Sequence, residues 1–136
     1  MTDPAALAII QEMKKHAVLG AAVACLVLAG SAVATTKPVG SYCSPSGDLC
    51  FGVARKNGAV SLDLTTFAQY FTRYTLCVKP PDRASTCRSF PIRNKGRFYK
   101  SSVLWHRNYP NRGPGRYRVT WKFQQPLGPT LSFMLS

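Results

Sequence analysis

Acidic side chains are nearly missing from this chain. Of its 136 residues only five are Asp or Glu, against eighteen Lys and Arg, and the one glutamate, Glu12, lies near the N-terminus. From Thr35 onward the carboxylates are Asp48, Asp63 and Asp82, and the histidine is His106. General acid–base chemistry needs titratable groups brought together, and such a scattered set offers no obvious pair. Asp48 falls in the turn "SPSGD", where an Asx side chain commonly shapes the backbone. Asp63 falls outward on an alternating stretch, where pairing with an arginine is expected. His106 follows Trp105 on the parity opposite the apolar positions, which puts it on the surface. No nucleophile elbow, phosphate-binding loop or metal motif occurs. The expectation is a protein that is not an enzyme and holds no cofactor or metal.

A sustained helical period is also absent beyond residue 34, and so is any long apolar run. The one such run comes earlier. "MKKHAVLGAAVACLVLAGSAVATT" has two lysines, an apolar stretch from Ala17 to Ala29, then small residues; this is the pattern of a secretory signal peptide. Ala32 and Ala34 stand in the relation a signal peptidase accepts, so residues 1–34 are assigned to the signal and 35–136 to one exported domain. Met13, directly before Lys14 and Lys15, reads as the natural start. Two other fates stand beside this one: lipidation at Cys25, and retention of the segment as an anchor. The destination is extracellular or the cell envelope.

Four cysteines remain in the exported part: Cys43, Cys50, Cys77 and Cys87. An even number bound for an oxidising compartment reads as two disulfides. Three connectivities are possible, and the short turn-rich gaps "SPSGDL" and "VKPPDRAST" favour Cys43–Cys50 and Cys77–Cys87. A zinc site fits poorly, because the gaps are not those of paired ligands and one histidine is available.

What the sequence has in plenty is short β-type runs between turns. "SPSGD", "KNG", "KPPD", "NKG", "YPNRGPG" and "QPLGP" punctuate stretches rich in Val, Leu, Phe, Tyr, Thr and Trp, which predicts an all-β sandwich of seven strands. The first strand spans about 49–56 and turns at Asn57-Gly58, a strong hairpin signal, into 59–65. In "RYTLCVKP" and "TCRSFPIR" both cysteines fall on the outward parity, as a cross-strand bridge requires. Pro91 marks the fourth strand as an edge. The fifth runs through "FYKSSVLWHR", the sixth is "GRYRVTWKF" and the seventh "PTLSFML". The expected core is Leu62, Leu64, Leu76, Val78, Phe90, Val103, Trp105, Tyr117, Val119, Trp121 and Phe133.

The stretch "GPGRYRV" resembles the tyrosine corner of immunoglobulin-like and fibronectin type III-like sandwiches, with Tyr117 as its tyrosine. Val119 stands where an antibody domain has its second inter-sheet cysteine, and the third strand lacks that family's Trp. The fibronectin type III-like relatives are therefore the closer resemblance. The opening "YCSPSGDLC" is similar to that of small secreted bacterial proteins, and no function comes with that similarity. The fibronectin-like resemblance implies that the third, fourth, sixth and seventh strands share one sheet. Arg73, Lys79, Arg116, Arg118 and Lys122 would then gather on one exposed face.

Residues 35–136 carry sixteen Lys and Arg against three acids, enough for salt-sensitive attraction to polyanions. Candidate partners are anionic cell-wall polymers, membrane head groups and extracellular nucleic acid, although no nucleic-acid motif singles out the last. Six charge contacts would give a slope of log K against log salt of about −5. A protein-interaction module is the alternative, and so is a structural domain whose cations serve only to discourage edge-to-edge sheet pairing. A further cluster, Arg93, Lys95 and Arg97, falls in a loop and reads as solvated. A monomer is expected.

Overall fold

Apolar and polar residues alternating with period two produce ladders along almost the whole of residues 36–135. The structure, a computed structural model, describes residues 30–136. Most of the expected signal, including Met13 and Cys25, lies outside the described residues. Ala34–Ser136 forms one unit. Its strands are β1 (Thr36–Cys43), β2 (Leu49–Lys56), β3 (Ala59–Thr66), β4 (Arg73–Lys79), β5 (Thr86–Pro91), β6 (Arg93–Asn94), β7 (Tyr99–Leu104), β8 (Gly115–Phe123), β9 (Gln125–Pro126) and β10 (Leu131–Leu135). The first sheet has the order β1-β2-β3-β7-β6; the second has β10-β8-β4-β5, with β9 paired to β8. Every pairing is antiparallel.

Two sheets of five strands each exceed the seven strands expected. The expected seven are all present, and the additions have local causes. β1, which is not among the expected strands, contains Pro38 and Gly40; it lies at a sheet edge, where proline's missing N–H costs no ladder bond, and the register breaks between Pro38 and Gly40. β6 and β9 are two-residue ladders at loop ends. The fifth expected strand also stops early: Trp105–Asn108 form a helical turn, closed by the Tyr109 backbone amide on the Trp105 carbonyl at 2.9 Å and by the Asn108 side-chain Nδ2 on the Leu104 carbonyl at 2.8 Å.

The Asn57-Gly58 turn behaves as its sequence predicts, with φ of 50° and 81°, the pair of positive values that a two-residue hairpin turn demands. Both disulfides join the expected partners, Cys43 to Cys50 and Cys77 to Cys87, with Cα separations of 4.1 and 4.0 Å. In each case the two cysteines are directly opposite in the register.

The inner faces of the two sheets close on a shared core. Phe51 of the first sheet stacks on Trp121 of the second with ring centres 4.5 Å apart, and Trp105 meets Tyr117 edge-on at 5.2 Å. All the expected core residues are buried except Phe90, which is half-buried because β5 is an edge strand. Phe51, Val53, Val60, Phe71, Tyr74, Ile92 and Tyr109 complete the core.

Tyr117 ties the preceding loop to this core. Its hydroxyl donates to the Gly113 carbonyl at 2.8 Å and accepts the Arg112 amide at 2.9 Å. Arg55 reaches from the first sheet to the second, donating to the Met134 carbonyl at 2.6 Å on the edge strand β10.

Candidate polyanion-binding face

Along β8 the alternation separates two environments within one strand. Tyr117, Val119 and Trp121 are fully buried, while Arg116 and Arg118 are exposed and Lys122 is half-buried. β4 does the same: Tyr74, Leu76 and Val78 point inward, Arg73 and Lys79 outward. All five cations singled out in the sequence therefore lie on the outer side of the second sheet.

The register divides them into two groups. Lys79 is directly opposite Arg118, and Arg116 follows two residues along the same side of β8. Lys122 lies opposite Thr75 and Arg73 opposite Pro91, toward the other end. The neutral row Thr120–Cys77–Cys87 separates the groups. Arg73 is moreover committed: its Nε donates to Ser89 Oγ at 3.0 Å and its terminal amine to the Ser89 carbonyl, also at 3.0 Å. Lys79, Arg116 and Arg118 are the cluster; Arg73 and Lys122 stand apart.

Around that cluster the β4–β5 hairpin builds a groove. Pro81 comes so close to Gly115 that a Cβ there would lie 2.7 Å from the proline Cγ, and Gly115 has φ +132°, a region few residues other than glycine adopt. The hairpin thus rests on the start of β8 and overhangs the arginines. The hollow beneath it measures about 680 Å³ and has Lys79, Arg83, Arg116 and Arg118 in its wall, with Asp82 as its acid. A second hollow of about 350 Å³ shares Arg116 and Arg118 and adds Thr130, Leu131 and Ser132. The two arginines form the ridge between the hollows.

Arg83 was not singled out in the sequence. In "KPPDRAST" it reads as one more turn residue; the only hint was the Pro-Pro pair, which stiffens the hairpin carrying it.

Among the described residues the one ion pair is Lys56–Asp63 at 3.2 Å, on the first sheet. No carboxylate lies within ion-pair distance of Lys79, Arg83, Arg116 or Arg118. Four cations on stiff backbone, two of them directly opposed, raise the local positive potential and attract anions.

The remaining candidates resolve differently. Asp63 pairs with Lys56 rather than an arginine, because β2 supplies the Lys56 ammonium, while Ser61 of its own strand and Ser102 of β7 donate their hydroxyls to the same carboxylate oxygen at 2.7 and 2.6 Å. At the "SPSGD" turn, serines rather than the Asp48 carboxylate hold the backbone: Ser44 Oγ accepts the Leu49 amide at 3.2 Å and Ser46 Oγ the Asp48 amide at 3.4 Å. His106 is exposed on the helical turn.

Comparison with protein-family models, with curated proteins and with solved structures finds no match for this chain.

Proposed function

We propose that this protein is an exported, non-enzymatic module of the cell surface or envelope that binds anionic polymers through the groove of Lys79, Arg83, Arg116 and Arg118. The observation that carries the reading is that these four cations have no acidic partner while strand register and the Pro81–Gly115 contact hold them around one hollow. Two disulfides are consistent with an extracellular destination. The domain is read as an immunoglobulin-like, fibronectin type III-like sandwich: the strand order of the second sheet and the Tyr117 hydrogen bonds to the loop before β8 both support it.

The ligand class is a linear polyanion with sulfate, phosphate or carboxylate groups, retained by counterion release. Four contacts in place of the six first expected reduce the slope of log K against log salt to about −3 to −4. Heparin chromatography tests this. The parent should be retained at low salt and elute at moderate salt, and Arg83→Ser/Arg116→Ser/Arg118→Ser should pass through with a melting temperature no lower than the parent's. Undiminished retention of that variant rejects the groove as the site. A stoichiometric protein partner recovered only in high salt would replace the polyanion reading with a protein-interaction one.

A further inference from the structure

At the end of the domain away from the groove the apolar interior spills into solvent. The loop 67–72, the segment 93–98 and the end of β8 meet there. Thr66 pairs with Tyr99, which brings Phe67 and Phe98 into edge contact at 4.9 Å; Phe123 stacks on buried Phe71 at 5.0 Å; and the Ile92 amide is bonded to the Thr72 carbonyl at 3.0 Å. Phe67 is 55% exposed, Tyr70 53% and Phe123 43%. Burial is what such side chains normally gain from folding, so four large rings left open at one end, counting Phe98, need a reason. Arg93, Lys95 and Arg97 are exposed beside them; these three segments contain no Asp or Glu, and Asp48, whose carbonyl accepts the Phe67 amide at 2.9 Å, is the acid that adjoins them.

We infer that this end is a membrane-docking tip: Phe67, Tyr70, Phe98 and Phe123 enter the interfacial layer of an anionic phospholipid bilayer while Arg93, Lys95 and Arg97 contact its head groups. Aromatic rings favour the boundary between head groups and acyl chains, and cations near an anionic surface add attraction that salt weakens. The way the rings are arranged favours a bilayer over a single-stranded nucleic acid. Bases need separate open ring faces, whereas here Phe67 and Phe123 are each engaged with a second ring, making a small apolar plug with a basic rim. The tip shares no residue with the groove, so either site can fail without the other.

The test uses the full chain with vesicles of phosphatidylcholine alone or mixed with phosphatidylglycerol, and a photoactivatable phosphatidylglycerol. The parent should float with the anionic vesicles and cross-link within 67–72, 95–98 or 123–126. Phe67→Ser/Tyr70→Ser should lower vesicle affinity about tenfold or more, the scale of losing the burial of two aromatic side chains, and should elute from heparin as the parent does. Both positions are more than half exposed, so folding should survive; should it not, Lys95→Ser/Arg97→Ser provides the second variant, with weaker binding to anionic vesicles only. Equal vesicle binding by parent and variants overturns the inference, as does cross-linking confined to Arg83, Arg116 and Arg118. Oligonucleotide binding that these variants lose, with vesicles ignored by the parent, overturns it in favour of nucleic acid.

Discussion

The outer faces of the two sheets are built on the same plan and charged differently. Each carries one disulfide, and each disulfide fastens an edge strand to its inner neighbour: β1 to β2 on the first sheet, β5 to β4 on the second. On the first face small residues, Gly52, Ala54, Ser61, Thr65 and Ser102, surround the Asp63 carboxylate, which Lys56 and two serine hydroxyls hold, and the cations Lys100 and Arg93 lie opposite each other toward the β6 edge. On the second face Lys79, Arg116 and Arg118 stand together with no ion-pair partner. Both faces carry a directly opposed pair of cations, Arg93 and Lys100 on the first and Lys79 and Arg118 on the second; the hairpin that shapes a hollow around Lys79, Arg116 and Arg118 is what makes the second face the candidate for binding.

Breaking the two staples should show how unequal the faces are. Serine replacements of either cysteine pair should cost about 2.5–3 kcal/mol by the chain-entropy argument for loops this short. The melting temperatures should therefore fall by similar amounts while the local consequences differ. Cys43→Ser/Cys50→Ser frees an edge strand, and amide exchange should accelerate in 36–43 while heparin retention persists. Cys77→Ser/Cys87→Ser loosens the hairpin that overhangs Arg116, and retention should weaken as well. Equal retention in the two variants would separate the groove from its scaffold.

The inner faces meet at a hydrogen bond that pH can break. Tyr74 of β4 donates to Ser101 Oγ of β7 at 2.7 Å, and burial, reinforced by the charge of Asp63 and only partly offset by that bond, pushes its pKa up to about 12 from 10.0. Burial likewise raises Tyr109, whose hydroxyl donates to the Leu76 carbonyl. The unfolded chain gives up the Tyr74 proton first, so this contribution is complete below pH 10 and declines as pH rises through 12. The loss should reach roughly 2–3 kcal/mol. Comparing urea unfolding of the parent and Tyr74→Phe between pH 8 and 12 isolates it. The variant, less stable at neutral pH for want of the bond, should show a flatter alkaline decline; identical slopes would place the titration elsewhere.

A smaller loss is expected from the first face. Asp63→Asn removes the ion pair and weakens two hydroxyl bonds, and since Lys56 and Asp63 are 40% and 31% exposed the ion pair is partly screened, leaving a total of about 1 kcal/mol. Heparin retention should not fall, because the substitution raises the net charge and touches nothing in the groove. A fall would show that the first face takes part in binding.

Alternation made much of this legible in advance. Tyr117, Val119 and Trp121 against Arg116, Arg118 and Lys122 is a period-two signal with no helical competitor, and the outward parity of Cys77 and Cys87 carried their pairing with it. β1 was hidden because Pro38 and Gly40 are poor strand formers, and only a neighbouring strand with a free edge makes them tolerable. The division of the five cations was hidden for a related reason. Parity assigns a side of a sheet, but the row on which a residue sits depends on register, and register is a property of two strands. Arg83 and the aromatic end were harder still, since both arise where loops distant in sequence come together.

The smallest expected effect decides most about the groove. Arg118 lies directly opposite Lys79, and like charges in that relation destabilise a sheet by roughly 0.2–1 kcal/mol. Arg118→Ser should therefore raise the melting temperature slightly at low salt while reducing heparin retention. The gain should vanish near 1 M salt, where the screening length is about 3 Å. Asp63→Asn should respond to salt in the opposite sense, because salt weakens an attraction in the parent rather than a repulsion. A protein that tolerates a repulsive pair on an otherwise regular sheet is giving up stability at the place where an anion would restore it. If Arg118→Ser instead lowered the melting temperature equally at all salt concentrations, the arginine stem would be acting as packing, and the tension attributed to this face would not exist.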